Sequence, residues 1–522
     1  MDRANLAYSS DRVRSGSHWI SLVELLRSKA QSEADRNLYT FLSDGPTPEQ
    51  SLTFAQVDER ARAIGARLQS AGAAGQRILL LFPPGLDYIN AFFGCLYAEA
   101  IAVPAYPPRQ NRNLERLEAV ARDARPAVVL TTQAVLSQIE GCLDDAVGLK
   151  TLQWIAIESI STSWLAQWQQ PDVNQETLAF LQYTSGSTAS PKGVMISHGN
   201  LLHNEGLIQR AFGQSEQSII VGWLPLFHDM GLIGNVLQPL YVSAHCVLLS
   251  PMTFLQKPLR WLETISRYRA TTSGGPNFAY DLCVRKINPV QRESLDLSSW
   301  TIAFNGAEPV RKETLDRFCA AFEPCGFERR AFFPCYGLAE ATLFVAGGPG
   351  ETEPRIGRFK RTSLEQNIVV PALPDEQDVR SIVSCGGPPA DQQIRIVNSA
   401  TFSECPPGQV GEIWVRSASI AHGYWNRPDD SKDIFQARIA GSDTGTYLRT
   451  GDLGFIDADQ LFITGRLKDL IIIRGRNCYP EDIEHSVGRC DPTALRPGEG
   501  AAFSIDVGGE ERLVLVHEVT KD

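Results

Sequence analysis

The segment YTSGSTASPKGV, residues 183–194, carries the most pointed chemistry in this chain. Hydroxyl side chains at Thr184, Ser185, Ser187 and Thr188 crowd around Gly186, and Pro-Lys192-Gly follows directly. Small hydroxyls and free amides can cradle phosphate oxygens, a glycine lets the backbone come close, and Lys192 adds a mobile positive charge. The pattern is not the G-x-x-x-x-G-K-[ST] loop of common nucleotide hydrolases, because the second glycine is absent and Lys192 is followed by glycine. A flexible Ser/Thr linker is the alternative, but linkers seldom follow an apolar strand with Pro-Lys-Gly fixed behind them.

Other segments offer further groups. FNGAE ends at Glu308, FFPCYGLAEAT holds Tyr336, Gly337 and Glu340, YLRTGDLGF holds Asp452, and GRLKDLIII holds Arg466 and Lys468. Each has a plainer reading: Asp452 as a turn residue beside Gly451, Tyr336 as a core aromatic, Glu340 as a carboxylate near a helix start. WLPLFHDMGLIG places His228 in a loop, and GGPNFAY supplies Gly274, Gly275, Asn277 and Phe278. Those glycines with Phe278 suit a narrow apolar channel.

The elements needed to hold these groups alternate in type. Ile78 to Phe82 reads as a buried strand, and Asp87 to Glu99 puts Ile89, Phe92, Phe93, Leu96 and Tyr97 at helical spacing. Strands are expected at Ala127 to Thr131, Leu178 to Tyr183, Ile219 to Leu224, Cys246 to Leu249 and Thr301 to Phe304. Amphipathic helices at Leu114 to Ala124 and Leu259 to Tyr268 fall between them, which implies an α/β layered fold. From about Val383, short strands at Gln393 to Val397, Gly411 to Arg416 and Gln460 to Thr464 alternate with Gly/Pro/Asp turns, which predicts a small β subdomain. After Gly465 the run GRLKDLIIIRGRN reads as a charged turn followed by an apolar strand, and only one more strand, Arg512 to Val519, is expected, so the last unit reads as incomplete.

The 522 residues exceed one ordinary domain, and 43% apolar with 21% charged residues is a globular composition. A net charge of −11 with no basic stripe argues against nucleic acid. The short basic spots Arg329-Arg330 and Arg358 to Arg361 read as solvated loops. The polar stretch Met1 to Gly16 does not read as a secretory leader, and no apolar run is long enough to lead us to expect a membrane span. The eleven cysteines are scattered without metal-ligand spacing, so reduced core thiols in a cytoplasmic protein are expected.

These motifs, in this order from Leu52 to the C-terminus, resemble the adenylate-forming superfamily of acyl-CoA synthetases, luciferases, amino-acid adenylation domains and fatty acyl-AMP ligases. Ala189 stands where the usual pattern has glycine. The resemblance implies an α/β fold: a large N-terminal part, 1–465, with αβ-layered subdomains and a small β-barrel subdomain at about 383–465, and a small α+β C-terminal part, 466–522, apparently truncated. It implies ATP and Mg²⁺, with Thr184, Ser185, Gly186, Ser187, Thr188 and Lys192 on the phosphates. Gly306, Ala307 and Glu308 would pack against adenine, Tyr336 and Gly337 would stack on it, Asp452 and Arg466 would hold the nucleotide, Glu340 the metal, and Lys468 would be the hinge.

The His-Asp-Met-Gly-Leu core resembles fatty acyl-AMP ligases more than amino-acid adenylation domains. There His228 would face the acid's carboxylate, while Gly274, Gly275, Asn277 and Phe278 would line the acyl tunnel. The extended connection, about 348–382, resembles the insertion by which those ligases restrain the C-terminal part and disfavour CoA. The implied activity is fatty acid activation to acyl-AMP and transfer to a carrier protein's phosphopantetheine thiol. A fatty acyl-CoA synthetase is the enzymatic alternative, and a non-catalytic nucleotide- or lipid-binding module is another. The family's usual C-terminal Gly-Lys loop has no match after Lys468, where Lys521 is the only lysine, so slow adenylation is expected.

Overall fold

The computed structural model describes residues 19–43, 49–107, 114–139, 147–184, 191–348, 353–443, 445–473, 476–488, 490–491, 494–507 and 510–519. Two large sheets organise it, and both are parallel in their interiors. One has eight strands, in the order Phe344–Gly347, Phe332–Gly337, Ile302–Asn305, Thr272–Gly274, Ile219–Gly222, His245–Leu249, Asn37–Leu42, Glu49–Thr53, with antiparallel pairing only at its two outermost pairs. The other has six: Gln153–Ala156, Val128–Thr131, Arg77–Leu81, Ile101–Ala105, Leu178–Thr184 and Lys192–Ser197. Only its last pair is antiparallel. The β-branched and leucine runs read from sequence are these strands, buried on both faces as parallel strands must be.

A third, four-stranded antiparallel sheet follows: Gln393–Val397, Gly411–Arg416, Leu448–Asp457 and Gln460–Arg466. Beside it Ile356–Lys360 pairs with Val379–Val383, and the bridge Ser384–Phe462 ties this ribbon to the four-stranded sheet. Two expectations are corrected here. Arg358 to Arg361 is no solvated loop, because strand Ile356–Lys360 runs into it and Phe359 is buried against Phe455 and Phe462. The segment after Gly465 also holds more than the two expected strands: between Ile471–Ile473 and Glu510–Val519 lie Arg476–Cys478 and the long Leu495–Val507. The Gly and Pro residues of 495–507 mask its strand pattern.

Helix His198–Phe212 locks the layers together. Ser197 caps it in a box with Asn200, each side chain taking the other's backbone N–H. Asn204 then donates to the Phe344 carbonyl and accepts from its N–H, both at 3.0 Å. The next residue, Glu205, is fully buried, its Oε1 has no partner, and the Gln238 amide lies against its carboxyl. Burial pushes its pKa well above the carboxylate range. The folded state therefore keeps a proton that the unfolded chain releases, and stability is lost as pH rises above the unfolded value. Glu205→Gln preserves the shape without the charge. It should raise the midpoint of thermal unfolding at neutral pH and flatten its fall between pH 5 and 8, by about 1 kcal/mol or more.

Among the described residues no helix is long and apolar enough to cross a membrane. The ten described cysteines are all free. Burial pushes the Cys335 thiol up to about 12, as expected of reduced core thiols.

Candidate functional site

Loops from the carboxyl ends of both large sheets meet at one place, the usual position for ligands in open α/β sheets. Strand Leu178–Thr184 leads into the hydroxyl-rich segment, and Lys192–Ser197 returns antiparallel to it with Thr184 opposite Lys192 and Tyr183 opposite Gly193. A Cβ at Gly193 would stand 2.9 Å from the Tyr183 ring, so only glycine fits behind Lys192. Ser185, Gly186, Ser187 and Thr188 lie outside the described residues.

Residues 417–424 bind the other loops to this hairpin. Asn200 donates to the carbonyls of Ala418 and Ile420, Thr342 to that of Ser419, and the Ala421 N–H to that of Glu340. The Met195 N–H donates to Gly423, and the Trp425 N–H to Gly193. This arrangement delivers Tyr424, a residue sequence reasoning missed. Its hydroxyl donates to Glu340 Oε1 at 2.8 Å, and Lys192 Nζ sits 4.9 Å from its ring centroid. Lys192 also pairs with Asp430, 2.8 Å away and equally unforeseen. The phosphate-side lysine and the metal-side carboxylate thus share one aromatic ring. The signal available was the dense Gly-Tyr-Trp-Asn-Arg-Pro run after the Gly411–Arg416 strand.

Asp452 is built with equal care. Glu412, 1% exposed, takes a forked pair of hydrogen bonds from Arg449 and a third from the Gly451 N–H. Thr450 Oγ1 donates to the Ile413 carbonyl and accepts from the Asp452 N–H. Asp452 thereby faces Tyr336, whose hydroxyl donates to Oδ2 at 2.6 Å, and Arg466, whose Nε donates to Oδ1 at 3.1 Å. Burial raises the pKa of Asp452, and Arg466 and Tyr336 pull against that rise. The plain reading of Asp452 as a turn residue therefore fails. Burial likewise raises the pKa of Glu340, with the Tyr424 hydrogen bond opposing it.

The Gly306–Glu308 loop leaves strand Ile302–Asn305, and Ala307 there is held at φ +69°, a conformation stored at functional loops. Glu308 Oε1 is buried without a partner. A Cβ at Gly337 would fall 1.9 Å from the Leu343 carbonyl, so this glycine permits the tight turn that presents Glu340.

His228 follows strand Ile219–Gly222, and Gln182 holds the loop by donating to the Phe227 carbonyl at 3.1 Å. Its Nδ1 lies 2.6 Å from Asp229 Oδ1. Desolvation would lower the imidazole's pKa, but the charge and hydrogen bond of Asp229 outweigh it and the net direction is upward. Gly274 and Gly275 are close-approach positions, where a Cβ would stand 2.1 Å from the Phe304 carbonyl and 2.6 Å from the Trp223 ring respectively. Trp223 stacks on Phe254 and meets Phe278 edge-on. Asn277 is differently employed: it donates to the Pro309 carbonyl and accepts from Asn305 and the Arg311 N–H. It fixes the loop's shape.

The extended connection is packed as well. The Val369 N–H donates to Gly408 and the Val410 N–H to Asn367, so the apolar patch Ile368 to Val370 docks beside the four-stranded sheet. Arg380, 9% exposed, donates to the Thr464 carbonyl, pairs with Asp482 at 2.9 Å and lies over Tyr479. Arg361 also reaches Asp482, the Asn477 N–H donates to the Glu365 carbonyl, and a crevice of about 220 Å³ remains at the junction. These contacts form a clasp between residues 477–482 and the extended connection.

The donor set suits Mg²⁺. No cluster of three or more His, Cys, Asp or Glu side chains among the described residues could cage a metal alone. A single carboxylate such as Glu340 is what Mg²⁺ uses when substrate phosphates complete its shell.

Residues 26–425 match the family described as AMP-binding enzyme. The chain is 48% identical over 507 residues to the medium-chain-fatty-acid–[acyl-carrier-protein] ligase JamA of Moorena producens, covering 96% of this chain and 86% of that protein. It is 37% identical to the long-chain-fatty-acid–AMP ligase FadD26 of Mycobacterium marinum, over 96% of this chain and 87% of the relative. Among solved structures, the fatty acyl-adenylate ligase of L. pneumophila in complex with acyl adenylate and pyrophosphate superposes with a TM-score of 0.83 at 44% identity. It spans 96% of this chain and 86% of that one.

Proposed function

The chain belongs to the AMP-binding enzyme family, and we propose on that premise that it activates a medium- or long-chain fatty acid with ATP and passes the acyl group to a carrier protein. The observation that carries this reading is the convergence of Lys192 and Glu340 on Tyr424. The acid's carboxylate oxygen attacks the α-phosphorus of ATP in line, the bond from that phosphorus to the bridging oxygen breaks, and pyrophosphate leaves. Two anions meet in this step, so positioning and charge neutralisation matter more than proton transfer. Lys192 and the hydroxyl-rich loop hold the β- and γ-phosphates, Asp452 accepts from the ribose hydroxyls, and Tyr336 and the Gly306–Glu308 loop bound the adenine. Glu340 would hold Mg²⁺, which would supply further neutralisation of the triphosphate. A phosphopantetheine thiol then attacks the acyl carbon and AMP departs.

His228 orients the substrate carboxylate, aided by the upward shift of its pKa. A fatty acid stays ionised above pH 6, so the attraction lasts while the imidazole is charged and fades as pH rises through its raised pKa. The KM for the acid should therefore climb with pH. His228→Gln should raise KM several-fold at pH 6 and flatten the profile, as read from initial rates between pH 6 and 9.

In this reading Lys468 is the pivot between an N-terminal part, 1–465, and a C-terminal part, 466–522, and the protein works in the cytoplasm. A carrier thiol is favoured over CoA because the clasp at Arg380 and Asp482 ties residues 477–482 to the extended connection. Incubation with ATP, Mg²⁺ and C8 to C18 acids, followed by mass spectrometry, tests the activity. Acyl-AMP is expected, and ATP binding with no acyl-AMP from any acid would contradict it.

A further inference from the structure

Asp430 has no part in the chemistry above, yet it holds the lysine assigned to the phosphates. It lies in the first turn of helix Pro428–Phe435, and Asp429 lies beside it. Lys192 Nζ reaches Asp430 Oδ2 at 2.8 Å while resting over the Tyr424 ring. Lys192 is 30% and Asp430 45% exposed at the side chain, so water reaches both and the pair can exchange partners. Its strength is that of a surface ion pair, weak enough for a polyphosphate to replace. The carboxyl of Asp430 is held below its usual range, chiefly by the hydrogen bond from Lys192 and then by its charge.

Two anions therefore compete for one ammonium. A triphosphate reaching Lys192 must displace Asp430, and the released carboxylate then stands as a like charge beside the phosphates. We infer that Asp430 is a displaceable counter-ion for Lys192, which parks the ammonium over Tyr424 in the empty site and weakens the hold on ATP and pyrophosphate. The inference rests on Lys192 being the phosphate-binding lysine. A functional consequence follows from the same competition: Asp430 returns to Lys192 as pyrophosphate leaves, so it favours product release. Asp430 acts through Lys192 and is a positioning residue.

The test uses Asp430→Asn, with Asp429→Asn as a control in the same helical turn and Lys192→Met as the partner in a double-mutant cycle. ATP and pyrophosphate affinities are measured by calorimetry, and KM and kcat by pyrophosphate exchange. Asp430→Asn should tighten ATP and pyrophosphate about three- to tenfold and lower the KM for ATP, with kcat unchanged or reduced by slower pyrophosphate release. Asp429→Asn should do neither. In the Lys192→Met background the Asp430 substitution should have no effect on either affinity. Unchanged or weaker ATP binding by Asp430→Asn would overturn the inference, as would equal tightening with Lys192 absent, which would signal a general field. If Lys192→Met alone leaves ATP affinity untouched, the premise about Lys192 is wrong, a distinct result.

Discussion

Glu340→Gln is expected to slow acyl-adenylate formation at saturating ATP by roughly a hundredfold or more, about 3 kcal/mol of transition-state stabilisation. The substitution retains an oxygen to accept from Tyr424, so the local hydrogen bond at 2.8 Å survives. What disappears is the anion that a divalent cation needs. Burial already raises the carboxyl's pKa, so the folded state bears a cost for the charge that glutamine removes. Thermal stability at neutral pH should therefore hold or improve while activity collapses. The Mg²⁺ dependence of the residual rate should shift to higher concentration. A parallel loss of stability and rate, with the Mg²⁺ midpoint unmoved, would make Glu340 a structural residue.

The second large effect is expected at the clasp. Arg380→Met removes one member of a mostly buried ion pair, leaves the Thr464 carbonyl without this donor and Asp482 with the more distant Arg361 at 3.6 Å, and takes the cation off Tyr479. Breaking such a pair from one side costs about 3 kcal/mol, which raises the undocked population of the local segment more than a hundredfold. Hydrogen exchange in residues 477–488 should accelerate accordingly, while helix His198–Phe212 keeps its protection. Thioester formation with free CoA should rise at the same time if the clasp restrains acceptor choice. Unchanged exchange in 477–488 would show that the ion pair does not hold this junction.

Much of this was legible in the residues. The spans Gln393–Val397, Gly411–Arg416 and Leu259–Tyr268 coincide with observed elements, because turn residues bound two of them and helical spacing marks the third. Lys192, Tyr336, Glu340 and Asp452 could be picked out because each lies in a short glycine-containing motif that resembles the adenylate-forming pattern; Lys192 and Tyr336 sit at strand ends, Glu340 in a short 3-10 turn and Asp452 inside strand Leu448–Asp457. Tyr424 could not be assigned so readily: its partner Glu340 is 84 residues away, and only the bonds of residues 417–424 bring them together. Asp430 escaped for the same reason, standing 238 residues from Lys192 in what reads as an ordinary acidic first turn. Asn277 was assigned to the acyl tunnel because its segment resembles the stretch that lines it. Its three hydrogen bonds became visible only with Pro309, Arg311 and Asn305 folded around it.

The most direct test is a crystal structure with a non-hydrolysable acyl-adenylate mimic, an acyl-sulfamoyl adenosine. Its ribose hydroxyls should lie within hydrogen-bond distance of Asp452, its adenine beside Tyr336 and its sulfamoyl group between Lys192 and Glu340. A mimic bound elsewhere, or one whose ribose leaves the Asp452–Arg466 pair undisturbed with Lys192 and Glu340 remote from the sulfamoyl group, would contradict the single nucleotide site described above.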